Sequence, residues 1–239
     1  MRVGLFDSGV GGLTVLKTLI EKYPCNEYIY YGDTLNIPYG NKNKDELLKL
    51  SRNNINFLIS KNVDIIIIAC GTVSSNCLNE LKKEYDIPIL SIIEPTLEYL
   101  NKSDYKNIGV IATNATINSH IFSENVKKNV YEIATPKLVT LIENNEFTDI
   151  NSILHEYLDR YKDIIDVLVL GCTHYPIIKK EINNVIGDDA LIIDMGKLIT
   201  LSNNGKRDVK IYFSKINDNI IDNTVRIIGN SSYIFPTCK

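Results

Sequence analysis

Eight short apolar runs recur along the chain, each bounded by polar residues, glycine or proline. Several of them, such as 65–69 and 167–170, are apolar at every position rather than at every second one. A short run that is apolar on both faces is typical of a strand buried on both sides, as in a parallel sheet. The predicted strands span residues 3–6, 28–31, 65–69, 89–92, 108–112, 167–170, 191–193 and 209–213.

Segments with helical spacing separate these runs. In residues 45–60, the apolar side chains of Leu47, Leu48, Ile55 and Leu58 recur at intervals that place them together along a helix. Strands that alternate with helices in this way form a mostly parallel sheet covered by helices. The pattern therefore predicts an α/β fold.

Two segments of the chain share one pattern. Residues 64–70 and 166–172 each begin with Asp, continue through an aliphatic strand, end with Cys and precede a helix-like segment. Chance similarity between buried strands is one interpretation, and a duplicated α/β unit with one Cys in each half is the other. The second predicts two pseudo-symmetric domains, with crossings near Pro95 and Gly205. Their predicted extents are 1–93 plus 208–239 for the first domain and 94–207 for the second.

Composition narrows the classes of partner. The 26 basic and 29 acidic side chains give a net charge of −3, which offers no electrostatic reason to expect nucleic acid. No apolar run approaches the length that spans a bilayer, and no signal peptide is recognisable, so we expect no membrane and a cytoplasmic location. The five cysteines are scattered without a C-x-x-C pair, which favours reduced thiols.

Polar clusters follow several of the predicted strands. In open α/β sheets, ligands bind beyond the carboxyl ends of the strands, so these clusters are the candidate site. They comprise residues 7–12, 38–40, 70–72 and 172–174.

The glycine loop at 7–12 matches neither common nucleotide motif. Thr14 stands where the dinucleotide fingerprint requires its third glycine, and no Gly-Lys-Ser/Thr follows as in a P-loop. The backbone N–H groups of such a turn are suited to receive a carboxylate, and Asp7 and Ser8 add a carboxylate and a hydroxyl. We therefore expect a zwitterionic ligand here, with a purely structural turn as the alternative.

Cys70 and Cys172 are the candidate reactive groups. Both follow a strand and precede a helix-like segment, where a helix N-terminus lowers the pKa of a thiol from about 8.5 to roughly 3.5–7.5. A lone Cys in such a place is more often a small buried apolar residue. A matched pair, each followed by Thr within two residues, instead favours general acid/base work. His174 and Asp7 are the candidate helpers of the two thiols.

The remaining cysteines and histidines lack such a setting. Cys25, Cys77 and Cys238 are interpreted as structural or incidental. His120 and His155 lie in helix-like segments without a polar cluster, which favours a surface or packing role.

Four motifs together resemble the glutamate racemases of the aspartate/glutamate racemase superfamily. They occur in the family's order and with its approximate spacing over most of the chain. The motifs are FDSGVGGLTV at 6–15, YGDT at 31–34 with PYG at 38–40, AC at 69–70 with Thr72, and LGCTHYP at 170–176.

The resemblance implies two α/β domains with glutamate between them, no cofactor and no metal. It implies that Cys70 removes the α-proton of D-glutamate and that Cys172 removes that of L-glutamate, with Asp7 and His174 assisting. It also implies that the enzyme supplies D-glutamate for peptidoglycan and forms a homodimer. The substrate-binding positions that it implies are Asp7, Ser8, Tyr39, Gly40, Gly71, Thr72, Thr173 and His174, and the further pocket acids are Asp33 and Glu143.

Three departures from the family pattern stand out. Gly71 follows the first cysteine where the family usually has Asn, so a side-chain amide is missing unless backbone or Ser74 replaces it. Thr135 stands where a Cys-Pro pair is common, with no catalytic consequence that we identify. The C-terminal part is also short for the family.

Other functions remain open on the sequence alone. A racemase of the same superfamily that acts on aspartate is the nearest alternative, and a non-catalytic ligand-binding relative is another. A metal hydrolase would use Cys70, Cys172, His174 and Asp7 as ligands. A thiol redox pair is the weakest alternative, because the C-x-x-C spacing is absent.

Overall fold

Two parallel sheets organise the computed structural model, which describes residues 1–230 and 232–235. The first sheet has the order β10-β9-β2-β1-β3-β4, and the second has the order β6-β5-β7-β8. All strand pairs in both sheets are parallel. The first sheet consists of β1 (Arg2–Asp7), β2 (Glu27–Gly32), β3 (Ile65–Ile68), β4 (Ile89–Ser91), β9 (Asp208–Phe213) and β10 (Ile234–Phe235). The second consists of β5 (Asn107–Ala112), β6 (Asn129–Ala134), β7 (Val167–Leu170) and β8 (Leu191–Asp194).

Helices cover both sheets, so the predicted α/β class is confirmed. Among the described helices, none combines the length and apolar character needed to cross a membrane. The helices are α1 (Leu13–Lys22), α2 (Lys44–Ile59), α3 (Gly71–Asn76), α4 (Leu78–Glu84), α5 (Ile93–Lys102), α6 (Asn114–Asn118), α7 (Ile121–Asn125), α8 (Pro136–Glu143), α9 (Ile150–Leu158), α10 (Lys179–Ile186) and α11 (Asp218–Ile228).

Local sequence explains where the longer helices begin and end. Asn43 and Glu46 form a capping box at the start of α2, in which each side chain accepts a hydrogen bond from the other residue's backbone N–H. At the start of α11, the side chain of Asn217 accepts the N–H of Ile220. That helix ends at Gly229, whose φ of 83° is a left-handed conformation that glycine adopts without strain.

The two sheets repeat one connection order. The strands β2-β1-β3-β4 of the first sheet and β6-β5-β7-β8 of the second lie side by side in the same order, counted along the chain as second, first, third and fourth. The repeat extends to side chains, since Asp64 accepts the N–H of Arg2 and Asp166 accepts the N–H of Asn107, each at the start of the central strand. The predicted pseudo-symmetry is thus a property of the backbone and of the aspartates that precede β3 and β7.

The chain passes between the sheets twice. It leaves β4 through α5 to enter β5, and it returns from β8 through 199–207 to pair β9 with β2. One hydrophobic core nevertheless includes residues of both sheets, such as Leu5 and Val169. The predicted boundaries, 1–93 plus 208–239 and 94–207, therefore stay a prediction.

Candidate active site

A cavity of about 170 Å³ opens where the carboxyl ends of the two sheets face each other. Loops that follow β1, β2 and β3 form one side, and the turns after β5 and β7 form the other together with α8. All four polar clusters that the sequence singled out contribute residues to this lining. The cavity thus occupies the position in which α/β sheets bind ligands.

Both candidate thiols line this one cavity. Cys70 is the second residue after β3, and Cys172 is the second residue after β7. The internal repeat therefore places one sulfur on the six-stranded half and one on the four-stranded half. Their exposed fractions are 5% and 8%, respectively. Both thiols are therefore largely shielded from solvent, and a small molecule in the cavity would lie beside them.

The environment of Cys70 is apolar and partly negative. Its Sγ lies 3.8 Å from Oγ of Ser8, and the residue caps the short helix α3. Burial raises the pKa of the Cys70 thiol, the negative charge of Asp7 raises it further, and the N–H of Val73 lowers it only in part. The pKa is therefore raised rather than lowered as a helix N-terminus would predict, because burial outweighs the six-residue helix.

The environment of Cys172 is polar and carries a charge pair. Nδ1 of His174 lies 3.6 Å from the sulfur, and Nε2 of His174 lies 2.6 Å from Oε1 of Glu143. Burial alone would lower the pKa of His174, but Cys172 and Glu143 together raise it well above its ordinary value. Burial would likewise raise the pKa of Glu143, but His174 brings it below its ordinary value. The pair is thus an imidazolium and a carboxylate, with the positive charge next to the sulfur.

Helix α3 starts immediately after Cys70, whereas a 3₁₀ turn, Tyr175–Ile178, comes before α10 in the second half. The predicted helix start therefore holds for the first cysteine and not for the second. Pro176 in that turn lacks the N–H that a regular α-helix would need there.

Asp7 lies behind the cavity wall rather than in it. Its Oδ2 accepts the N–H groups of Gly9 and Gly12, both at 3.1 Å, and its Oδ1 accepts the hydroxyl of Thr173 at 3.3 Å. The side chain is fully buried, and burial raises its pKa. Both oxygens of Asp7 bind protein groups and Asp7 is not among the residues that line the cavity, so its predicted contact with substrate stays a prediction.

The glycine loop uses its N–H groups within the protein. Gly9 and Gly12 donate to Asp7, and Val10 donates to the carboxylate of Glu143. The expectation that these three groups receive a ligand carboxylate is wrong, since protein carboxylates already take them. Ser8 does line the cavity, beside the sulfur of Cys70.

The two predicted pocket acids differ in position. Glu143 lines the cavity, whereas Asp33 is buried behind Tyr39 and accepts its hydroxyl at 2.6 Å. Burial and the nearby charge of Asp33 raise the pKa of Tyr39, so the phenol stays protonated. Asp33 therefore orients Tyr39, which lines the cavity together with Gly40.

Gly71 touches the opposite half of the molecule. A Cβ atom at this position would lie 2.5 Å from the carbonyl oxygen of Gly171. The backbone of the second turn thus occupies the place where a side chain would begin. Ser74 does not replace the missing amide, because its hydroxyl donates to the carbonyl of Ile68 away from the cavity.

Hydroxyl and amide groups after β5 also line the cavity, and the sequence analysis missed them. Thr113 and Asn114 follow β5, and Oγ1 of Thr113 lies 2.9 Å from Oγ1 of Thr72. Because β5 corresponds to β1 in the repeat, these residues correspond to Ser8 and Gly9. The duplicated pattern was the signal that would have found them.

The other cysteines and histidines stand apart from the cavity. Cys25 is exposed and Cys77 is buried, while Cys238 lies outside the described residues. His120 and His155 are exposed and pair with Glu132 and Asp159. Within 1–230 and 232–235, no group of three or more His, Cys, Asp or Glu side chains is arranged to hold a metal ion.

Comparison with known proteins agrees with this geometry. Residues 37–200 match the model of the Asp/Glu/Hydantoin racemase family, which is more than half of the chain. The chain belongs to this family. The resemblance drawn from the four motifs is thus confirmed, as is the expectation of an amino-acid racemase and hence an isomerase.

Individual relatives within this family are described as glutamate racemases. A glutamate racemase of Aquifex aeolicus is 39% identical over 232 residues, covering 92% of this chain and 91% of its own. The crystal structure of a glutamate racemase isoform of Bacillus anthracis superimposes with a TM-score of 0.91 at 26% identity, over 100% and 97% of the two chains. A Francisella tularensis glutamate racemase in complex with D-glutamate gives a TM-score of 0.85 at 29% identity, over 99% and 97%.

Proposed function

We propose that the chain interconverts L-glutamate and D-glutamate without a cofactor, with Cys70 and Cys172 as the two acid/base groups. The main support is that two thiols from equivalent places in a repeated unit line one small cavity. Two bases on opposite sides of one carbon are what inversion of that carbon requires. The racemase relatives described above support glutamate as the substrate.

The proposed reaction moves one proton off the α-carbon and another onto it. One cysteine acts as a thiolate and takes the α-proton from one face, which leaves the electron pair of the broken C–H bond on the carbon and its carboxylate. The opposite thiol then gives its proton to the other face and becomes the thiolate. Cys172 removes the α-proton of L-glutamate and Cys70 removes that of D-glutamate, so each turnover leaves the enzyme in the protonation state that the reverse reaction needs.

His174 and Glu143 supply the charge on the Cys172 side. An imidazolium 3.6 Å from the sulfur attracts the negative charge of a thiolate. Glu143 holds the proton on His174 and fixes the orientation of its ring. On the other side, the buried Cys70 would act first as the proton donor, because burial favours its neutral form.

Mostly uncharged donors would hold the substrate. Among the described residues that line the cavity, none is Lys or Arg, so the two carboxylates of glutamate would be bound by hydroxyls, amides and the His174 imidazolium. The proposed binding groups are Ser8, Tyr39, Gly40, Thr72, Thr173 and His174, joined by Thr113 and Asn114. Hydrogen bonds from groups fixed in this way would stabilise the charge that develops during proton removal. Gly71 contributes backbone alone.

We also propose that the enzyme supplies D-glutamate for peptidoglycan and that it forms a homodimer. The first follows from the product, and the second from the resemblance to the family. Size measurement in solution tests the dimer, and growth of a depleted strain with and without added D-glutamate tests the supply.

A chiral assay tests the reaction itself. The purified protein, treated with a chelator and given no cofactor, should convert either enantiomer of glutamate to an equal mixture of both, since the enantiomers have equal free energy. Aspartate serves as the competing substrate. Faster turnover of aspartate would favour the related racemase, and binding of glutamate without any turnover would favour a non-catalytic relative.

A further inference from the structure

Helix α11 of the six-stranded half contacts the end of α8 in the four-stranded half. The contact is made by two side-chain amides and one backbone carbonyl. Nδ2 of Asn219 donates to the carbonyl oxygen of Glu143 at 2.6 Å, and Nδ2 of Asn223 donates to the same oxygen at 3.2 Å. Glu143 is the last residue of α8, so its carbonyl has no partner within that helix.

Neighbouring groups fix the direction of both amides. Asn223 is 1% exposed, and its Oδ1 accepts a hydrogen bond from Arg226 at 2.7 Å. The Oδ1 of Asn219 accepts from Nδ2 of Asn145 at 2.7 Å. Asn145 lies just past α8 with a φ of 60°, which is a conformation that asparagine tolerates better than most residues. Both amide nitrogens therefore face the Glu143 carbonyl, and Nδ2 of Asn223 also donates to Oδ1 of Asn219 at 3.4 Å.

The same residue is anchored to the six-stranded half by its side chain. The carboxylate of Glu143 accepts the N–H of Val10 in the glycine loop and holds His174 at 2.6 Å. His174 in turn contacts Cys172. The path from α11 to the sulfur therefore runs through Glu143 and then His174, and it crosses between the two halves of the molecule.

We propose that Asn219 and Asn223 are positioning residues, which hold the Glu143 end of α8 so that the carboxylate of Glu143 stays hydrogen-bonded to His174 beside Cys172. The inference rests on the proposed function and assigns a role to a helix far along the sequence from either cysteine. If the carbonyl anchor is lost, Glu143 can move away from His174. Proton transfer at Cys172 then slows, while the cavity remains able to bind substrate.

Asn223→Leu is the principal variant, because leucine keeps the approximate volume and removes the donor. We expect kcat for glutamate racemisation to fall about tenfold, since small misplacements of catalytic groups are costly, with KM little changed. The alkaline limb of the pH–rate profile should move to lower pH, because a weakened Glu143 contact no longer raises the pKa of His174. Asn219→Ala should show the same changes to a smaller degree and serves if the first variant does not fold.

Thr224→Val is the matched control. Thr224 is buried in the same helix, and its hydroxyl donates to the carbonyl of Ile220 within α11 rather than to Glu143. The variant should lower the melting temperature without changing kcat or the pH–rate profile. If Thr224→Val reproduced both kinetic changes, general loosening of α11 would explain them and the positioning role would be refuted.

A double-mutant cycle with Glu143→Gln decides whether the effect passes through Glu143. If it does, Asn223→Leu should lower kcat far less in the Glu143→Gln background than in the wild type. An equal loss in both backgrounds would overturn the inference. An inactive wild-type protein would instead refute the proposed function, and an active wild type with an unaltered Asn223→Leu variant would refute this inference alone.

Discussion

The two cysteine-bearing turns occupy equivalent places in the repeat, yet their surroundings differ. The turn after β3 places Cys70 beside Ser8 and near the charge of Asp7, and burial raises the pKa of its thiol. The turn after β7 places Cys172 beside the His174–Glu143 pair. The backbone thus repeats while the electrostatics do not.

This difference shows that the duplication determines the position of each sulfur but not the charge around it. The repeated strand and its leading aspartate determine where each sulfur lies. The residues after each cysteine determine its charge environment, because His174 has no counterpart at the corresponding position of the first turn, which Thr72 occupies. A reaction that removes a proton on one face and donates one on the other is served by such a pair of unlike sites.

Removal of either sulfur should have the largest effect. Cys70→Ser and Cys172→Ser should each lower kcat for racemisation by at least about 1,000-fold, because a serine hydroxyl is a far weaker base near neutral pH. The chiral assay on glutamate measures this loss. Cys25→Ser is the control, since Cys25 is exposed and remote from the cavity, and it should retain wild-type activity. Near wild-type rates in both active-site variants would contradict the two-thiol mechanism.

Removal of the charge beside Cys172 should have the next largest effect. His174→Asn should lower kcat about 100-fold, because the imidazolium next to the sulfur disappears. His120→Asn replaces an exposed histidine and should leave kcat unchanged. If His174→Asn were as active as the wild type, the difference between the two turns would have no catalytic meaning.

A methyl group at Gly71 should have a smaller effect on the rate. Gly71→Ala would place its Cβ 2.5 Å from the Gly171 carbonyl, so the two turns must separate. We expect kcat to fall about tenfold as the thiols move apart. Gly4→Ala is the control, because its Cβ would meet only side chains of Val63 and Leu58 in the core. A Gly71→Ala variant with unchanged kcat would show that this contact does not determine the spacing.

The pH dependence of stability should show the smallest effect. The folded-state pKa of His174 is raised, so its charge pair stabilises the protein fully below about pH 6.5, the usual histidine pKa. That contribution is lost as the pH rises through the raised pKa of the folded state. Urea unfolding should therefore show a gap between wild type and His174→Asn that is larger at pH 6 than at high pH. A gap independent of pH would contradict the assigned protonation.

Much of the fold could be predicted from apolar patterning alone. All eight predicted strands exist, and the predicted helix at 45–60 is α2, which spans Lys44–Ile59. The strand β6, Asn129–Ala134, was missed because it lies at the edge of its sheet, and polar residues interrupt its apolar pattern. The two-residue strand β10 is too short to produce any pattern.

The site was predicted as a set of loops, but not as a network. Sequence places Asp7 next to Ser8, yet only the folded chain shows that Asp7 binds the glycine loop and Thr173. The Glu143–His174 pair joins residues that are 31 positions apart, and Asn219 is a further 76 from Glu143. Such contacts depend on how the two halves pack, which no local pattern encodes.

Early deuterium incorporation in heavy water tests the two-thiol mechanism most directly. When L-glutamate is the substrate, the D-glutamate formed first should carry deuterium at the α-carbon, while the remaining L-glutamate keeps its protium. The mirror result should hold from D-glutamate. Deuterium that appears as fast in the remaining substrate as in the product, or a product that retains protium, would contradict two bases on opposite faces.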